Sequence, residues 1–230
     1  MTRIEISSEK EAKDRTHSLI LAKSDKLEQI PVILKTYHNL VIKKSDKQVN
    51  RWIKEHIKEI RQKYSKGDWK NTPIFRGYIN LHDQYSMTKG IPASSEILID
   101  LILQAGSIPN INTFVNIYNV ISAFTGLSMG AHDIDRLKGT PELRIIEKDS
   151  AFTVIGARGK DIVRKGEYGY VDAAGVICRM DIKQCERTKI TENTRHVLTI
   201  FQGHENLDVE YLQKGVAMLD EAIGMLESIL

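Results

Sequence analysis

Cysteine is nearly absent. Cys178 and Cys185 are the only two in 230 residues and form no CxxC pair, which argues against a disulfide framework or a structural zinc site. The seven histidines are scattered, with no HExxH, so no metal site is expected. No GxSxG elbow is present, which argues against a serine hydrolase of that kind. Gly156 and Gly159 in VIGARGKD follow a strand-like run, yet the segment has neither the GKS/T ending nor GxGxxG. It is no phosphate loop, and no cofactor is expected. No apolar run approaches the roughly 20 residues of a membrane span. The N-terminal MTRIEISSEKEAKD lacks the apolar stretch of a signal peptide, so the expectation is a cytoplasmic protein without a membrane partner. Internal repeats and low-complexity tracts are missing too.

What is present is an ordinary globular balance, 41% hydrophobic and 27% charged, on a chain long enough for a sizeable core. The net charge of +3 hides an uneven distribution. Residues 1–90 carry 19 Lys/Arg against 11 Asp/Glu, whereas residues 201–230 carry 1 against 6. A basic front permits a polyanionic partner.

RIEIS (3–7) and SLILAK (18–23) read as short strands, and the mixed pattern over 27–42 as a helix followed by a strand. Over 45–64 the spacing predicts a helix capped by Ser45 or Asp46, with Val49, Ile53, Ile57, Ile60 and Tyr64 on one stripe. Lys47, Arg51, Lys54, Lys58 and Arg61 fall on the opposite stripe. They read either as a solvated face or as a row that tracks phosphates. Asn71 or Thr72 followed by Pro73 opens a further helix, and Ser94 or Ser95 caps an apolar one that ends at Gly106. After residue 140 the chain changes character: ELRIIE, AFTVIG, EYGYVDA, GVICRM and HVLTIF are strand-like, with DAAG (172–175) as a hairpin turn. Leu207–Leu230 is an amphipathic helix that packs on its own domain or, alternatively, forms a homodimer seam.

The central stretch is IPNINTFVNIYNVISAFTGLSMGAHDIDR, residues 108–136. Asn110, Asn112, Asn116 and Asn119 crowd an apolar helix, although asparagine is disfavoured inside helices because its amide competes for backbone hydrogen bonds. Gly126 and Gly130 then lead to His132 and Asp133, an imidazole beside a carboxylate that can act as a base or an orienting group. In ERTKITENTR, Arg187, Thr188, Thr191, Thr194 and Arg195 supply donors suited to a phosphate or carboxylate. Each constellation also has a purely structural reading, as a turn filler or a salt-bridged loop.

PASSEILIDLIL, INTFVNIYNV, GLSMGAHDIDRL and ERTKITENTRHVL, in that order, resemble the editing (tRNA-binding) domain of the bacterial phenylalanyl-tRNA synthetase beta subunit, and in particular its freestanding relatives. The likeness covers about residues 70–202. It implies an α+β fold with a β-rich body and several packed helices. One domain over 1–230 is expected, with an N-terminal α/β portion (1–66) and a C-terminal helix (205–230) around that core. The resemblance further implies hydrolysis of an amino acid wrongly esterified to tRNA, with tRNA as partner. The family's pocket asparagine matches Asn119, with Tyr118 where the synthetase tends to have threonine. The synthetase's pocket histidine falls at Gly130, and its tyrosine-reading glutamate falls near Ile200. The expected roles are His132 and Asp133 at the water, and Asn112, Asn116, Tyr118, Asn119, Gly130, Arg187, Thr188 and Thr191 at the substrate. The row from Lys47 to Arg61 would meet the tRNA backbone. An aminoacyl ester is labile enough that placing water and polarising a carbonyl suffice. The rival classes are a non-catalytic RNA or metabolite binder on the same fold, and an interaction protein that dimerises through its last helix.

Overall fold

The structure is a computed structural model that describes residues 16–19 and 22–227. The strand expected at RIEIS lies outside them. In chain order the strands and helices are β1 (Thr16–Leu19), β2 (Ala22–Lys23), β3 (Val32–Tyr37), α1 (Lys47–Tyr64), α2 (Pro73–Tyr85), α3 (Ser94–Ala105), α4 (Thr113–Thr125) and β4 (Ser128–Asp133). They continue with β5 (Glu142–Ile145), β6 (Ser150–Thr153), β7 (Lys160–Val163), β8 (Tyr168–Asp172), β9 (Gly175–Arg179), β10 (Lys183–Gln184), β11 (Val197–Gln202) and α5 (Val209–Glu227). This is an α+β fold.

The apolar run VLTIFQ is buried at all six positions because β11 is covered on both faces. It is central in an antiparallel sheet ordered β1-β3-β11-β4. Side chains alternate across a strand, so Val197 and Phe201 join a core shared with the helices, while Leu198 and Ile200 join a second core. That second core is closed by another sheet, ordered β10-β9-β8-β5-β2, antiparallel except for the β2–β5 pair. DAAG turns β8 into β9, and β6 and β7 form a separate hairpin. The layers are therefore helices, sheet, sheet.

On the helical side, α1 buries the five stripe residues Val49 through Tyr64 and leaves its cations exposed. Asp46 caps it by accepting from the N–H groups of Gln48 and Val49. The helix α4 is buried nearly all round, between α1, α3 and α5. On α5, Leu212, Val216, Leu219, Ile223 and Leu226 are buried in the same core, so its apolar stripe packs within the chain; among the described stripe residues only Val209, at its start, is exposed. Lys35 and Tyr37 of β3 reach across to Asp220 and tie α5 to the sheet.

Two local expectations change. The segment 27–42 contains no α-helix: a single 3-10 turn at Asp25–Leu27 precedes Pro31, and the chain runs straight into β3. The capping position of α3 is Ala93, which has no side-chain bond to give. The serines are used elsewhere: Ser95 Oγ donates to the Gly126 carbonyl, and Ser94 Oγ meets Ser128 Oγ, which stitches α3 to the start of β4. No described helix is long and apolar enough to cross a membrane, and no cluster of three or more His, Cys, Asp or Glu among the described residues could hold a metal ion.

Candidate functional site

The asparagines of the central helix separate once their partners are known. Asn112 caps α4 by accepting from Val115 N–H at 2.9 Å, and it donates to the Ile190 carbonyl at 3.3 Å. Asn116 is tied back to the preceding loop, accepting from Ile111 N–H at 2.9 Å and donating to Asn110 Oδ1 at 2.8 Å. These three hold the loop that enters α4. The half-buried Asn119 instead faces an opening.

That opening is a hollow of about 410 Å³ between α4, the end of β10 and the threonine-rich loop, lined by Asn112, Tyr118, Asn119, Gln184, Thr191 and their neighbours. A second hollow of about 330 Å³ shares Tyr118, Asn119, Ile155 and Gln184 with it, so the two are lobes of one cleft. Three of the chain's exposed large apolar residues, Ile97, Ile111 and Ile155, line this cleft.

Beside Gln184 lies a small chamber lined by Gly130, His132, Tyr170, Asp181 and Gln202 among others. His132 is 1% exposed, and its Nδ1 lies 2.7 Å from Thr188 Oγ1, which in turn meets Cys185 Sγ at 3.1 Å. Its Nε2 is buried without a partner. Loss of hydration lowers its pKa to about 4, so the ring is neutral at pH 7.

On the chamber wall, Asp181 accepts from His82 Nε2 at 2.6 Å and from the Tyr168 hydroxyl at 2.8 Å, leaving Oδ2 unpartnered. His82 donates its other ring N–H to the Ile91 carbonyl at 2.8 Å. Both nitrogens face acceptors, so this buried imidazole is held as a cation. Burial alone would lower its pKa, but the Asp181 carboxylate outweighs burial and raises it. Burial likewise pushes Asp181 upward, and His82 holds it below the usual carboxylate value.

The other expected site residues lie elsewhere. Asp133 closes a turn by accepting from Thr194 Oγ1 at 2.7 Å and Asp135 N–H at 3.1 Å. Arg187 donates to the Arg136 carbonyl at 2.8 Å and to Asp172 Oδ1 at 2.7 Å. Burial would raise Asp172, but Arg187 and the N–H groups of Lys138 and Ala174 hold it low. Thr188 is completely buried beneath His132. Asn116 borders a separate groove of about 530 Å³, whose far wall is Lys54, Lys58 and Arg61 of α1. Lys47 and Arg51 are exposed on the same helix. The structure thus brings together Asn112, Tyr118, Asn119 and Thr191 in the cleft, and Gly130 with His132 in the chamber. It does not bring Asn116, Asp133, Arg187 or Thr188 to either.

Gln184, Asp181 and the His82 pair escaped the sequence reading. Gln184 sits in a two-residue strand with no motif of its own, and His82 lies about a hundred positions from its partner.

Comparison with known proteins agrees with the resemblance. The model of the B3/4 domain matches residues 85–226 and so takes in α5, which the resemblance left outside. No curated protein matches the chain. Among solved structures, an N-terminal fragment of the phenylalanyl-tRNA synthetase beta subunit from Pyrococcus horikoshii is 16% identical, with a TM-score of 0.43. The match covers 50% of this chain and 40% of that one. With more than half its length matched by the family model, the chain belongs to the B3/4 domain family and is a relative of the domain found in the phenylalanyl-tRNA synthetase beta subunit.

Proposed function

We propose that this chain binds the 3′ end of an aminoacylated tRNA in the two-lobed cleft and hydrolyses the ester. The observation that carries the reading is the position of Gln184: it forms a wall of the cleft that holds Asn119 and Tyr118, and behind it the Nε2 of His132 has no protein partner. The Asn119 amide and the Thr191 hydroxyl offer donors and acceptors to a ribose and a base edge. Ile97, Ile111 and Ile155 offer apolar surface to the base faces. The neutral imidazole suits a positioning role. Water held at Nε2 adds to the ester carbonyl, the ribose oxygen leaves with a proton, and free amino acid and uncharged tRNA result. Arg187, Thr188 and Asp133 serve this site by holding the loop and β4 in place. Lys54, Lys58 and Arg61, with Lys47 and Arg51 beside them, follow the phosphate backbone.

A second reading, binding without hydrolysis, is favoured by Gln184 standing between the imidazole and the cleft. A panel of mischarged tRNAs separates the two. Hydrolysis above the spontaneous rate that falls in His132→Gln supports the first, whereas binding with no acceleration for any member of the panel supports the second. Neutralising Lys54, Lys58 and Arg61 together should weaken tRNA binding and reduce the salt slope by about two to three. An unchanged slope would remove α1 from the interface.

A further inference from the structure

Gln184 borders every hollow of the site: both lobes of the cleft and the small chamber. The strand β4 is the edge of its sheet, paired with β11 on one side only. At Ala131 the Gln184 carboxamide takes the place of a neighbouring strand. Oriented so that each amide atom meets its complement, it donates to the Ala131 carbonyl and accepts from the Ala131 N–H, both at 3.2 Å. Glycine at position 130 makes this possible, because a Cβ there would stand 2.3 Å from the carboxamide.

Three features describe what could replace it. The pair it makes, a carbonyl on an N–H and an amine on a C=O, is the pair that the ester carbonyl and α-ammonium of an aminoacyl group would make with the same edge. The freed space is that of a carboxamide on two methylenes, plus a chamber with room for about one water-sized group. Among the residues lining the chamber, Asp181 has its side-chain oxygen Oδ2 buried without a partner, and the side chain is 4% exposed. A carboxylate oxygen accepts hydrogen bonds only. Resting on the function proposed above, we propose that Gln184 is a latch occupying the acyl subsite, and that the acyl group displacing it is a small amino acid whose side chain ends in a hydroxyl. The hydroxyl donates to Asp181 Oδ2, and the Ala131 N–H polarises the ester carbonyl. A ring the size of phenylalanine's has no room.

The test is calorimetric titration with adenosine and with adenosine carrying a seryl, alanyl or phenylalanyl group through a non-hydrolysable 3′-amide. The wild-type chain should bind the seryl compound at least tenfold tighter than the alanyl one and should not bind the phenylalanyl one. Gln184→Ala removes the internal competitor. It should raise seryl affinity on the order of tenfold and admit the phenylalanyl compound. In the wild type, the Gln184 side-chain amide resonances should shift on saturation with the seryl compound, a readout that does not depend on the variant folding. Adenosine binding with equal affinity for all three acyl compounds, or amide resonances that stay in place, would overturn the latch alone. Failure of adenosine itself to bind would overturn the proposed cleft and the latch with it.

Discussion

Replacing His132 with glutamine should flatten the acid limb of the stability curve. The imidazole is buried and its folded pKa is about 4, against an ordinary value near 6.5, so the proton prefers the unfolded chain. For a depressed histidine the contribution is complete above the unfolded pKa and drains as pH falls toward the folded one. Between about pH 7 and pH 4.5 the linkage relation gives a loss on the order of 2 kcal/mol from this one group. Urea unfolding across that range, on wild type and His132→Gln, isolates the term, since other acid-sensitive groups are common to both. The variant should be the less stable at neutral pH, having lost the ring's packing and its contact with Thr188. The gap should narrow by about 2 kcal/mol toward acid. Curves that stay parallel within about half a kcal/mol would refute the reasoning, because they would mean the ring accepts its proton without leaving the core.

The His82–Asp181 pair tilts the other way. The raised His82 contributes stability below the unfolded histidine pKa and loses it as pH rises through the folded value, while Asp181 contributes until pH falls through its own depressed one. Histidine ring NMR should accordingly show His82 as an imidazolium at pH values where His132 is neutral. Gly77→Ala places a methyl 2.1–2.4 Å from three atoms of the His204 ring, which is fixed by the Ile74 carbonyl at 3.0 Å and Asn206 N–H at 3.2 Å. The overpacking should cost about 1–3 kcal/mol, more than the helix preference of alanine returns, and thermal unfolding should show the drop. Arg179→Met strands Glu167, which holds Arg179 in a bidentate pair at 2.8 and 2.5 Å and is 3% exposed. The cost should be about 3–5 kcal/mol at neutral pH and should shrink in acid as the abandoned carboxylate takes up a proton.

Periodicity alone placed the greasy and charged stripes of α1, the buried α4, the strand-like runs after residue 140 and the amphipathic α5, because burial of one face imposes a spacing that can be read along the chain. Composition and missing motifs narrowed the chemistry, and the order of four segments pointed to the family. Residue order could not sort the four asparagines, since a cap, a loop tie and a cleft wall all use the same amide. Nor could it separate His132 from Asp133. They are adjacent in sequence but point to opposite sides of β4, one toward Thr188 and the other toward Thr194. Arg187 has the sequence context of an anion grip, but its guanidinium is occupied by Asp172. Gln184 and Asp181 owe their place to two sheets closing over one chamber. Hydrogen bonds between residues far apart in the chain leave no periodic trace, so only the folded arrangement decides which polar groups are satisfied and which remain open to a ligand.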